Sequence, residues 1–496
     1  MSASFRLGLA CLAFVTLLPA CHNIDYSSRF GTGEIDIFDD LFSVSVVDQK
    51  TVVTAGYHGS TYFTSDGGET WGKGQTPTNK LLYAVSMADD QYGWAVGQVG
   101  TILRTEDGGR SWQDQPNLKF NEATHLFGVH AFDQDRAVAV GTWGGRISTR
   151  DGGKTWSDDS LTVGVEHPQF VWLTQGDQAK VRRGEKVYED VGLQDVFCLP
   201  KSSKCWLIGE FGYIFYSEDA GKTWKKGEIL GDVRVDPIAL DFDQLELDPE
   251  DIESLTKFAK VIENETHLNV LIDPIVSDRE IETYYDGEDP EDLFDIISAR
   301  LDETKGVLEE AGLMTDRLRM YNKPPWDYED FIEDDPEFLD RYLRDRLADQ
   351  PTVKVGVIQN PFLFTVRFSD EKNGMISGLG GVVLVSNDGG RSWTYVTTSR
   401  RQALFSVAAT AGRSVAVGEK GLVQYSQDGG ASWAPPSEKQ FPSIFTFMRD
   451  LRFAPDNNKL GFIVGQDGMV LRTKNGGDSW SQVLPPPDRR GGGLGV

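Results

Sequence analysis

Leu82 to Trp112 reads LYAVSMADDQYGWAVGQVGTILRTEDGGRSW. Apolar and polar residues alternate over Leu82–Met87, a polar turn follows, and an apolar run ends in Ala95-Val96-Gly97. The chain turns again through Gly97–Gly100, resumes over Ile102–Thr105, turns through Asp107-Gly108-Gly109 and restarts at Trp112. Short runs of alternating pattern divided by turn residues predict four antiparallel strands joined by hairpins.

The pattern recurs along the 496 residues. The last turn has the form Ser/Thr-x-Asp-x-Gly-x-Thr/Ser-Trp. Its copies are TSDGGETW (Thr64–Trp71), TEDGGRSW (Thr105–Trp112), TRDGGKTW (Thr149–Trp156), SEDAGKTW (Ser217–Trp224), SNDGGRSW (Ser386–Trp393), SQDGGASW (Ser426–Trp433) and TKNGGDSW (Thr473–Trp480). A Gly-x-x-Gly turn precedes each one: Gly56/Gly59, Gly97/Gly100, Gly141/Gly144, Gly209/Gly212, Gly378/Gly381, Gly418/Gly421 and Gly465/Gly468. The residues at the Asp position, Asp66, Asp107, Asp151, Asp219, Asp388, Asp428 and Asn475, have a structural task. A carboxylate or amide oxygen there accepts from backbone N–H groups just ahead, and the glycine takes positive φ at no steric cost. Trp supplies large apolar area at the start of the next strand. Four short strands repeating every forty or so residues predict an all-β fold, a seven-bladed β-propeller.

The motif resembles the Asp box of the bacterial neuraminidase (BNR) repeat. Joined to the Val-Gly-x-x-Gly core, the copies look most like the photosystem II stability/assembly factor family of BNR propellers, over roughly Leu41–Trp224 and Phe362–Leu484. The resemblance implies a non-enzymatic, protein-binding propeller whose client is a membrane protein or its complex. That client would be photosystem II in a photosynthetic source, with photosynthesis as the setting, and an envelope transport complex served by an accessory subunit is the alternative in another bacterium.

Two stretches interrupt the period, Val163 to Asp190 and, far longer, 225–360. Strand direction alternates within a blade, so the Gly-x-x-Gly turns and the blade-to-blade connections share one face and the Asp boxes the other. Both insertions leave from the first face, which predicts a lopsided cap over one side of the channel mouth. The long one holds about half of the 76 acidic residues. Asp248 before Pro249 predicts a capped helix start, Asp289–Ala311 a helix stopped by Gly312 with Leu293, Ile296, Ile297, Leu301 and Leu308 on one face, and Asp327–Leu347 another. A mainly helical acidic subdomain is expected between blades 4 and 5.

The termini and cysteines set the compartment. Leu7–Leu18 is apolar, follows Arg6 and is too short to span a bilayer. It ends in Leu18-Pro19-Ala20-Cys21, which resembles the lipobox of bacterial lipoproteins; a plain secretory signal is the alternative. Residues 1–20 are then a signal peptide and 21–40 a linker lipidated at Cys21, with His22 next to it implying the outer membrane, periplasmic side, or a thylakoid-type membrane in a photosynthetic source. Blades 1–4 fall in 41–224, blades 5–7 in 361–484, and 485–496 is a flexible tail. Cys198 and Cys205 flank a turn and are a disulfide candidate in an oxidising compartment.

Composition narrows function. A net charge of −27 repels phosphate backbones, which excludes nucleic acid as a natural partner. No HExxH, CxxC pair or EF-hand spacing occurs, so neither a metal nor a cofactor is expected. A sialidase would need an early Arg-Ile-Pro motif and an arginine cluster, neither of which the sequence offers; glycan binding at the channel mouth is the milder alternative. No catalytic residue is assigned. The expected binding face carries Tyr57, His58, Trp143 and Phe211 on its turns, and Arg400 and Arg401 between blades 5 and 6. A protein that is monomeric by itself, bound to the membrane through its lipid and to a membrane protein through this face, is the reading that results.

Overall fold

A computed structural model describes the chain from residue 37 to 484 except 38, 117–123, 166, 168, 171–172, 231–234, 264–268, 285–290, 321–346, 359–360, 397, 399, 401, 411, 438 and 457. The signal peptide, Cys21, Arg401, the tail and most of the third predicted helix therefore lie outside the described residues.

Each repeat builds one antiparallel sheet in sequence order, as a propeller requires. The innermost strands are Leu41–Val46, Leu82–Met87, Leu126–Ala131, Leu193–Cys198, Leu363–Phe368, Leu404–Thr410 and Met448–Phe453. The second strands are the most apolar, and Val52–Gly56, Gly93–Gly97 and Ala137–Gly141 are buried throughout. Packed on both faces, they read as continuous apolar runs rather than as alternation. Outer strands are brief, such as Gly72–Lys73 and Lys225–Lys226. The fourth sheet thus extends to Lys226, two residues past the expected boundary at Trp224.

The sheets wedge together through the Asp boxes. Trp393 is fully buried, and its indole N–H donates to Gly390 O at 3.1 Å. Gly390 sits at φ +83, and a Cβ there would run into the Trp206 ring of the preceding sheet. Gly68 stands in the same way against Phe462 of the seventh sheet. Positive φ and close approach together require glycine at this position.

The circle closes without strand exchange. All four strands of the seventh sheet come from its own repeat. Its junction with the first sheet is made by side chains: Val44 N–H donates to Asp450 Oδ2 at 3.0 Å, and Arg472 Nη1 to Gly67 O at 3.0 Å. Cys198 and Cys205 face each other across the first hairpin of the fourth sheet and form a disulfide.

The insertions differ from expectation. The short one carries α1 (Gln175–Arg182), capped by Thr174, whose hydroxyl accepts from Asp177 N–H. The long one holds α2 (Pro249–Ile262), α3 (Asp278–Tyr284) and α4 (Glu291–Glu310), and among the described residues it also holds a sheet that the sequence pattern does not announce. The helices pack on a sheet in which Asn269–Ser277 runs antiparallel to Thr352–Ile358 and parallel to Leu318–Met320. The apolar run Val270–Val276 forms this central strand although Pro274 interrupts it, and proline argues against a strand when only sequence is read. Asp248 occupies the cap position of α2 without a side-chain capping bond. Leu293, Ile296, Ile297, Leu301 and Leu308 are buried on one face of α4, as their spacing predicts.

Among the described residues this insertion is attached at the outer edge of the fifth sheet. Glu228–Leu230 pairs in parallel with Ser392–Val396, the outer strand of the fifth sheet, and Tyr395 packs against the insertion's core. The physical reason is the open edge of that outer strand, which the chain covers directly on leaving the fourth sheet.

Candidate functional site

The site grows from an irregularity in the inner strands. In every sheet the register shifts after the first inner residue, where Leu41, Leu82, Leu126, Leu193, Leu363, Leu404 or Met448 pairs with the glycine that ends the second strand. A bulge re-aims the extra residue. The second residues are Phe42, Tyr83, Phe127, Gln194, Phe364, Phe405 and Arg449, all half-buried.

Five of these seven are aromatic, and they form an arc. Phe42 meets Tyr83 edge-on at 6.0 Å, Tyr83 meets Phe127 at 5.1 Å, and Phe364 meets Phe405 at 5.4 Å. Arg449 joins the two arms, its guanidinium 4.9 Å from the Phe42 ring centre and 4.8 Å from that of Phe405. Its Nε is buried without a hydrogen-bond partner. Burial lowers its pKa and Asp40 partly restores it. The arc breaks at Gln194.

Below the arc most of the third and fifth inner residues are polar. Asp450 accepts from Val44 N–H, Ser43, Ser406 and Leu451 N–H. Asp195 accepts from Val366 N–H and Arg367. Ser43 likewise accepts from Val85 N–H at 3.2 Å, and Ser86 from Ala131 N–H at 3.0 Å. An inner strand has an unpaired edge, and these side chains satisfy it from the neighbouring sheet. Burial raises the Asp450 pKa, with Arg367 opposing. Burial, then Arg367, pulls His130 down to about 4, so it is neutral at physiological pH. Asp195 and Asp450 are thus occupied as latches between sheets, and their pairing does not resemble a poised acid and base. Among the described residues no three potential metal ligands converge.

Around the arc stand the Gly-x-x-Gly turns. Their third residues hold positive φ, as His58 (54°), Trp143 (59°) and Phe211 (54°) show. The turns are pinned by amides that donate to the sheet-to-sheet connections: Gly100 to Thr124 O, Gly144 to Val191 O, Gly212 to Pro361 O and Gly421 to Thr446 O. Turns and connections do share a face. On it Tyr57, Trp143, Phe211 and Leu379 are 40%, 43%, 55% and 54% exposed, so the two residues beside the insertions are not packed beneath a cap. His58 pairs with Asp39 at 3.1 Å, and Tyr57 meets Phe42 edge-on at 5.4 Å, tying turn to arc. Arg400 lies apart from the arc, beside a cleft at the sixth sheet.

The turn residues were accessible to sequence reasoning; the arc was not singled out. Its signal was there in LFSVSV, LYAVSM and LFGVHA, where an aromatic residue follows the first Leu of an inner strand.

The family model described as Photosynthesis system II assembly factor YCF48 matches residues 69–181 and 400–487, and the BNR/Asp-box repeat model matches 215–226. No curated protein matches the sequence. Among solved structures, YCF48 bound to D1 peptide is 15% identical (TM-score 0.47, 89% of this chain and 93% of that one). YCF48 from Cyanidioschyzon merolae is 14% identical (TM-score 0.48, 88% and 97%). The GH74 xyloglucanase from Xanthomonas campestris is 10% identical (TM-score 0.48, 90% and 54%).

Proposed function

Taking the chain as a YCF48-like Asp-box propeller, we propose that it is a non-enzymatic envelope lipoprotein that binds a membrane protein, or a complex being assembled, on the face of the Gly-x-x-Gly turns. Its acyl chain at Cys21 holds it at the membrane, and the propeller presents that face. The observation carrying this reading is the half-buried aromatic arc with Arg449 at its centre, ringed by exposed Tyr57, Trp143 and Phe211. Aromatic and Arg side chains dominate the energetics of protein interfaces, above all where rigid backbone holds them ready. The opposite face offers Asp-box turns, whose polar atoms already satisfy one another.

The test is capture from detergent-solubilised membranes of the source organism. The wild-type chain is expected to retain a membrane-protein client that Phe42→Ala/Phe405→Ala loses, while Lys154→Ala on the Asp-box face behaves as wild type. Equal recovery by the arc variant would overturn the reading. Cys21→Ser is expected to move the protein from the membrane to the soluble fraction.

A further inference from the structure

Among the described residues the sixth sheet is the one repeat sheet without a fourth strand. It has three strands, Leu404–Thr410, Arg413–Gly418 and Val423–Ser426, and only Ala434 pairs with Tyr425 where a fourth would run. The cause is Pro435-Pro436. In the second sheet Gln115, three residues after Trp112, donates its N–H to Ile102 O, and in the fourth Gly227 donates to Ile214 O. The equivalent residue here is Pro436, which has no N–H.

Val423 O is satisfied differently: the Gln424 side-chain amide folds back and donates to it at 3.0 Å. That leaves Gln424 Oε1 with no partner among the described residues, although the residue is only 1% exposed. The chain then loops outward before Gln440 O accepts from Trp480 N–H on the seventh sheet. Between edge and loop lies a cleft of about 400 Å3 lined by Gln424, Pro435 and Phe441, with Arg400 and Lys420 at its rim and Phe445 beside it, 84% exposed. Lys420 also meets Glu419 at 3.3 Å; Arg400 forms no ion pair among the described residues.

We propose that this cleft takes an extended acidic segment of a partner protein, laid along Val423–Gln424 in place of the missing strand. A backbone N–H of the segment donates to Gln424 Oε1, its apolar side chains lie against Phe441 and Phe445, and its carboxylates meet Arg400 and Lys420. Strand addition to an open edge is an established mode of peptide capture. In a chain of net charge −27, two cations at the rim of the cleft favour an acidic occupant over a basic one. The proposal rests on the protein-binding reading and adds a second contact to it.

The experiment uses the full mature chain and a fluorescein-labelled peptide, acetyl-Val-Asp-Val-Asp-Val-Asp-amide, in anisotropy titrations. Binding is expected to be at least tenfold tighter than for the Val-Lys analogue. It is expected to weaken at least tenfold with backbone N-methylation of the peptide, with Arg400→Glu/Lys420→Glu, and with Pro435→Gln/Pro436→Gln, which restores the donors of an outer strand. Equal affinity for the lysine peptide, or undiminished binding by the Pro435→Gln/Pro436→Gln variant, overturns the proposal. The two readings fail separately. Absent peptide binding with arc-dependent client capture intact sinks only the cleft; peptide binding at the cleft with client capture indifferent to the arc sinks only the arc.

Discussion

The repeats and the long insertion solve the same problem of stability in opposite ways. The devices of the repeats recur around the circle: an Asp-box turn in all seven, a Trp buried in six and half-buried in the fourth, and polar latches of varied make between inner strands. The insertion has one hydrophobic core and, among its described residues, one ion pair whose two side chains are both fully buried. Arg300 and Glu280 have fully buried side chains, with Nη2 2.5 Å from Oε1 and Nη1 3.2 Å from Oε2. Arg300 Nε also donates to Gln244 O, and Glu280 Oε2 accepts from Ser277 N–H, so the pair ties α3, α4, the end of the strand Asn269–Ser277 and one connection together. Distributed devices make loss graded, whereas a single concentrated one makes it local and steep.

The largest expected effect is therefore Arg300→Ala, which leaves the buried Glu280 carboxyl without its ionic partner. Loss of one partner of such a pair costs about 3–5 kcal/mol. Hydrogen exchange should show α2 to α4 losing protection while the Asp-box peptides keep theirs. Uniform loss across both regions would mean that insertion and propeller unfold as one unit, and the contrast would fail.

Within the repeats the matching substitution is Thr105→Val. The buried Thr105 hydroxyl accepts from Gly109 N–H at 3.0 Å and donates to Asp107. Replacing it orphans a buried amide at a cost of about 1–3 kcal/mol. The denaturation midpoint should fall by less than for Arg300→Ala, with the neighbouring sheets unaffected.

This division also explains what was legible in the sequence. A turn such as TEDGGRSW states its own hydrogen bonds, because Asp107 bonds groups at most four residues away. Local geometry written seven times cannot be missed. Arg300 and Glu280 are twenty residues apart with no periodic context, and the strand Asn269–Ser277 finds its three pairing partners far along the chain. Nothing near Pro274 signals a sheet. The binding face stood between these extremes. Tyr57, Trp143 and Phe211 sit at tips that the glycine spacing marks, so they were found. Phe42 and Phe405 follow the first Leu of an inner strand, but their meeting depends on a bulge and on Arg449, which lies more than forty residues from either, so the pattern alone did not show that they form one arc.

Acid sharpens the contrast from another side. Hydrogen bonds from Thr155, Thr223 and Ser432 hold Asp151, Asp219 and Asp428 at about 2, below an unfolded value near 3.8. A depressed carboxylate pKa stabilises the fold above the unfolded value, and that contribution is lost as pH falls through the folded one. The propeller is thus expected to weaken progressively from about pH 4 to about pH 2. The seventh copy contributes nothing to this loss, because Asn475 makes its bonds without a charge. Urea midpoints of wild type and Asp428→Asn, measured at pH 4 and pH 2.5, should converge at the lower pH; a constant gap would mean that the turn carboxylates do not set the acid limb.

The smallest expected effect comes from the one Asp box that departs from the rule in its backbone. Six copies place glycine after the Asp or Asn, at φ between 71° and 82°, whereas the fourth has Ala220 at φ 59°. A Cβ in the left-handed region costs about 1–2 kcal/mol, and glycine returns about 0.4–1 kcal/mol of that through the greater freedom of the unfolded chain. Ala220→Gly should therefore stabilise the propeller by about 0.5–1 kcal/mol, visible as a small rise in the urea midpoint. Its amide must still donate to Ser203 O at 2.7 Å, the bond that fastens this box to the disulfide-bearing hairpin. A fall in the midpoint instead would show that the disulfide-bearing hairpin, and not the Asp box, dictates the backbone at this turn, so that the fourth repeat is held by its own concentrated device as the insertion is.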